Sequence, residues 1–256
     1  MSTVDLSPRS FARPGLGRLT RVELRKAVDT RAGRWLLIVT GLLALAVAVA
    51  RCLTGAAEER TFLDALQLSM LPLSVLLPVI GILLVTGEWS QRTALATFAL
   101  VPHRERIGAA KVLAAALLGL LAAIVCVAVA VIGNLVGLAA GGADGSWSAD
   151  GGELAQALLG MEVNLLIGVG FGLALMSPAL AIVAYFALPT AFSILGEVVS
   201  GLEGTFGWID PNRAFDPLYG GEAAGGDWGR IAVCALLWIG VPIAVGVARL
   251  VRREVK

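Results

Sequence analysis

Between Val112 and Ala140 the chain reads VLAAALLGLLAAIVCVAVAVIGNLVGLAA, without a single charge. A bilayer needs about 20 apolar residues in helical form. A helix that is apolar all round, and this long, asks for lipid and not water. Five further runs repeat the demand, at approximately 35–53, 67–86, 154–176, 178–200 and 229–250, beside the one at 109–140. Hydrophobic residues make up 57% of the 256 and charged ones 15%, where a soluble domain carries about 25% charged. The predicted fold is all-α: a polytopic membrane protein of six transmembrane helices.

The run at 109–140 exceeds a bilayer, which predicts tilt or projection beyond it. The runs at 154–176 and 178–200 are parted by Ser177 and Pro178. Proline favours a break there; the alternative is one bent element. Pro72, Pro78, Pro189 and Pro242 fall inside runs and are expected to kink them or to mark close packing. Mostly polar residues precede the first run, and no clear small-residue cleavage site follows it, so it reads as an uncleaved span. Three units result: a cytoplasmic N-terminal segment 1–34 with an amphipathic lead-in helix, a six-span domain 35–250, and a basic cytoplasmic tail 251–256.

A net charge of +1 gives no global field to draw nucleic acid. The charges are nevertheless sorted. With the N-terminus inside and each run crossing once, the outside segments hold only Arg51, Arg60, Arg213 and Arg230 among the Lys and Arg residues. The positive-inside rule then puts both termini in the cytoplasm. The longest outside segment, 201–228, carries Trp208, Phe215, Tyr219 and Trp228. It reads either as short interfacial helices or as a flexible glycine-rich loop.

The chain has no G-x-x-x-x-G-K-[ST], H-E-x-x-H or G-x-S-x-G motif. Its three cysteines have no short spacing and read as packing residues. His103 has no second histidine with which to share a metal. No catalytic residue, metal site or cofactor site of its own is expected. Glu162 and Asn164, in GMEVNLLIGVG, lie inside a span, where a carboxylate is costly and faces protein or water. They either line a substrate path or form a protonated or hydrogen-bonded packing contact between helices. Gly160, Gly168, Gly170 and Gly172 of the same span allow close helix approach, within one chain or across a dimer.

Two charged stretches remain. GLGRLTRVELRKAVDTRAGRWLL, 15–37, sets Arg18, Arg21, Arg25 and Lys26 beside Leu24, Val28 and Trp35. It is expected to lie at the inner interface, its cations on anionic lipid headgroups. GEWSQRTALATFALVPHRERIGAAK, 87–111, joins two spans. Glu88 and Arg92 are four apart, in the favourable order for a helix pair. Leu95 and Phe98 share a face, Pro102 ends or kinks the element, and Arg104 and Arg106 lead back to the membrane. Such an amphipathic helix can seat in a partner's groove. The alternative is a topogenic loop whose arginines only fix orientation.

On these two stretches, and on the six-span layout with an enlarged last outside segment, the chain resembles the membrane subunit of ABC exporters of the second permease class. That class includes drug, antibiotic-resistance and polysaccharide exporters, and the resemblance covers nearly the whole chain. It implies a permease paired with a second copy of itself or with a homologous permease. It also implies two separate P-loop ATPase subunits, which hold the ATP and magnesium. Glu88, Arg92, Phe98, Arg104 and Arg106 would be the ATPase-coupling residues, transport would be outward, and the location would be a bacterial inner membrane. The apolar spans favour a hydrophobic or amphipathic cargo. Two other classes compete: an ion-coupled secondary transporter, for which no internal repeat is evident, and a non-transporting scaffold or accessory subunit.

Overall fold

Lipid offers no hydrogen bonds, so each buried segment must satisfy its own backbone. The computed structural model describes residues 15–54, 60–91, 103–141, 147, 149–199, 201 and 203–252. Among these there is no strand. The helices are α1 (Leu16–Asp29), α2 (Arg31–Thr54), α3 (Phe62–Ser90), α4 (Arg104–Ala139), α5 (Gly151–Leu175), α6 (Pro178–Val198), α7 (Glu203–Ile209), α8 (Pro211–Gly220) and α9 (Asp227–Arg252). Among the described residues six of them, α2 to α6 and α9, are long and apolar enough to cross a membrane. The protein is an all-α polytopic membrane protein, with one helix for each predicted run.

Successive crossings sort the connections. One end of the bundle gathers α1, the end of α3, the start of α4, and Arg252. The other end gathers α7 and α8. In the middle, α3 packs against α2, α4 and α5, while α5 also meets α8 and α9. The spans of α3 and α5 are 56% and 61% buried, against 22% for α2 and 17% for α6. The outer helices therefore turn residues such as Leu42, Leu180 and Val183 away from the bundle. Unshielded faces of this kind suit lipid or another subunit.

The proline expectations resolve one by one. Met176 closes α5 in the left-handed region, at φ 52°, and Pro178 opens α6 at its first turn. These are two helices, not one bent element. Helices α3 and α6 run on through Pro72, Pro78 and Pro189. Pro78 has no N–H to give the carbonyl four residues back, that of Ser74. The Tyr185 hydroxyl stands 3.5 Å from that freed oxygen. In α9 a π turn, Leu236–Gly240, comes just before Pro242. The wider turn makes room for a ring that would otherwise press on the carbonyl of Trp238. Residues 201–228 hold α7 and α8, so the short-helix reading is the one observed and the flexible loop is not.

Of the glycines between α3 and α5, Gly168 comes closest to the facing backbone. A Cβ there would sit 2.9 Å from the Pro78 carbonyl oxygen and 3.0 Å from its Cβ. Backbone cannot swing aside as a side chain can. Gly168→Ala is expected to destabilise the bundle by about 1–3 kcal/mol, read as a lower unfolding temperature in detergent. Gly41→Ala, with nothing within 4 Å, is the matched control and should leave that temperature unchanged or raise it slightly, as alanine favours helix over glycine.

Candidate functional site

Among the described residues, three groups of polar side chains inside this bundle stand out: at the α1 end, in the middle of α5, and at the α8 end. The first is a closed ring of charges. α1 is amphipathic and lays Glu23 and Lys26, three residues apart, against the base of α3 and α4. Lys26 Nζ donates at 2.6 Å to Glu23 Oε1 and at 2.6 Å to Glu88 Oε1. Lys111 Nζ donates at 2.9 Å to Glu23 Oε2 and stands 3.2 Å from Glu88 Oε2. Each carboxylate oxygen meets one ammonium, and two negative charges balance two positive ones. The side chains of Lys111, Glu23 and Glu88 are 2%, 5% and 8% exposed, which only a fully paired set tolerates. Burial alone would pull the Lys26 ammonium down; its hydrogen bonds and attraction to Glu23 and Glu88 outweigh this and hold it above its ordinary value. Its contribution to stability is thus complete below the usual lysine range and fades only as pH climbs through the raised value.

Glu88 ends α3 and Lys111 lies in the second turn of α4. The ring therefore grips both roots of the connection between these helices and ties them to α1. Two arginines add to the same end. Arg104 Nη1 donates to the Leu250 carbonyl at 3.4 Å, and Arg249 Nη1 donates to the Ala174 carbonyl. Both acceptors lie in the last turns of helices, where carbonyls lack partners within the helix.

The residues expected to couple to an ATPase are thus not all alike. Glu88 is drawn into the ring. Arg104 caps α9, and Arg106 is half-buried. Arg92 and Phe98 lie outside the described residues. Of the cations expected at lipid headgroups, Arg18, Arg21 and Arg25 are exposed, with Arg25 paired to Asp29 at 3.1 Å. Lys26 instead turns inward, because it shares a helix face with Glu23.

The second place is the middle of α5. Glu162 and Asn164 are two residues apart, about 200° around the helix, so they point to opposite sides. Glu162 faces Gly119 of α4, and its carboxylate occupies the space a side chain there would fill. Both of its oxygens are buried, without a hydrogen-bond partner among the described residues. Asn164 faces α6 and α8 and is hydrogen-bonded at both its amide nitrogen and its oxygen. Its Nδ2 donates to Tyr219 Oη at 2.5 Å, and its Oδ1 accepts from the Tyr185 hydroxyl at 3.3 Å. For Asn164 the hydrogen-bonded contact between helices is observed.

The third place seats α8. Asp210, fully buried, caps α8 by accepting from the Asn212 N–H at 3.0 Å. It accepts from Ser193 Oγ of α6 at 2.9 Å and stands 3.4 Å from Arg213 Nε. Trp238 Nε1 donates to the Ile209 carbonyl at 2.7 Å, and the Ala223 N–H to Gln156 Oε1 at 2.8 Å. The hairpin of α7 and α8 is so pinned to α5, α6 and α9. Burial raises the Tyr219 hydroxyl above its ordinary value despite the Asn164 hydrogen bond, so it stays a neutral donor.

Glu23 escaped the sequence reading, and Lys111 was read only as the last charge of the segment 87–111, without a partner of its own. A signal existed for each: Glu23 is an acid three residues before a lysine in a basic helix, and Lys111 is the lone charge at the head of a long apolar run. Among the described residues no group of three or more His, Cys, Asp or Glu side chains is placed to hold a metal ion. No protein-family model matches the chain, and no curated protein matches its sequence.

Proposed function

We propose that the chain is the membrane permease subunit of an ATP-driven exporter, working as a pair above two separate P-loop ATPase subunits. The observation that supports this most is the ring of Glu23, Lys26, Glu88 and Lys111. A force on the connection between α3 and α4 passes through the ring to three helices at once. Because α3 is central, tilting it moves the α5 contact at Gly168 and, beyond it, the α8 end. The resemblance described above adds a motor for that lever. The same reading places the α1 end in the cytoplasm of a bacterial cell.

The test is copurification with a P-loop ATPase encoded beside the chain, followed by Arg106→Glu. Transport-coupled ATP hydrolysis is expected to fall at least about tenfold, as for loss of a charged contact in an interface, with membrane insertion retained. Coupling that survives this reversal of charge would count against the proposal. Arg104→Glu is a less clean variant, because it also removes the Leu250 cap.

A second reading, ion-coupled transport, is supported by Glu162. A carboxylate in the middle of a span, without a partner among the described residues, is the kind of group that relays protons. Glu162→Gln should then abolish uptake or efflux driven by a proton gradient in vesicles that hold no ATP. Wild-type vesicles that move nothing under such a gradient would remove this reading.

A further inference from the structure

The space between α5, α6 and α8 is a cleft of about 330 Å³, within the range of small-molecule sites. Its polar floor is already organised. Tyr185 donates to Asn164 and Asn164 to Tyr219, which leaves Tyr219 its own proton to donate. Tyr185, Phe186, Phe215 and Tyr219 supply aromatic surface. Among the described residues lining it, Asp216 alone carries a charge. Arg213, three residues away, is engaged by Asp210.

We propose that this cleft binds a monovalent organic cation with an aromatic body. Asp216 offsets the charge, and ring faces attract it further once water is displaced. An anion would meet a carboxylate and no lysine or arginine. A metal ion would need several oxygens converging on one point, and a single carboxylate does not provide them. The inference deepens the permease reading by naming a class of cargo. It rests on that reading for transport, whereas binding is a property of this chain alone.

The experiment uses the full chain in lipid nanodiscs without any ATPase, with ethidium as the probe and fluorescence polarisation as the readout. Saturable binding is expected. Asp216→Asn, at an exposed position, should weaken it about tenfold, the worth of one favourable charge contact. Glu222→Gln removes an exposed charge from the same end, outside the cleft, and should leave binding unchanged. Neutral 6-phenylphenanthridine, similar in shape, should fail to compete. Absence of saturable binding overturns the proposal. So does equal weakening by both variants, or competition by the neutral ring. Intact ATPase coupling without ethidium binding would remove the cleft and spare the permease reading; ethidium binding with the Arg106→Glu test failed would do the reverse.

Discussion

Replacing Lys111 by methionine is expected to cost about 3–5 kcal/mol, the usual penalty for stripping one partner from a buried ion set. Total stability is only about 5–15 kcal/mol, so the α1 end should open or the protein fail to accumulate. The reason is arithmetic at the atomic scale. Without Lys111, Glu23 Oε2 and Glu88 Oε2 lose their cation, and one ammonium is left for two carboxylates. Methionine fills nearly the same volume, so lost packing is a minor part. The double variant Lys111→Met with Glu88→Gln restores balance and should recover most of the loss. Hydrogen exchange over α1 reads the result directly. A single variant whose α1 amides exchange as slowly as those of the wild type would show that the ring does not hold α1.

Asp210→Ala carries the second largest expected effect, about 2–4 kcal/mol from a lost helix cap and newly unpaired buried groups. The damage should be local. Ser193 and Asn212 lose their acceptor, Arg213 loses its counter-charge, and α8 loses its grip on α6. Amides of α8 should exchange faster while those of α3 stay protected. Trp238, hydrogen-bonded to Ile209 next door, should report the loosening as a shift in fluorescence. Asp210→Asn keeps the acceptor oxygen but not the charge, and should retain roughly half of the stability at stake. Equal exchange of α8 in Asp210→Ala and wild type would contradict this account.

The fold was legible because lipid imposes one rule on every residue of a span, so long uncharged runs carry the message redundantly. The boundary at Ser177-Pro178 was legible for a local reason: proline disfavours helix in the residue before it. Asp210-Pro211, a cap followed by proline in the first turn, was a signal for the short helices that the sequence reading did not use. The ring was not legible. Glu23 and Lys111 are 88 residues apart and Lys26 and Glu88 are 62 apart. No local pattern brings them together; only the packing of α1 on α3 and α4 does. Lys26 was therefore assigned to headgroups, where the neighbouring arginines are exposed. Asn164 and Glu162 show the same limit. Their sequence context is one heptapeptide, yet the turn of a helix sends one to two tyrosines and the other to a glycine.

The ring also bears on how the chain is made. Its four members are synthesised in the order Glu23, Lys26, Glu88, Lys111; the first two balance, Glu88 upsets the balance, and Lys111 restores it. Until α4 enters the membrane, the first three carry one excess negative charge and cannot be shut away from water. Docking of the N-terminal helix on a balanced ring is therefore expected only after the first three crossings are in place.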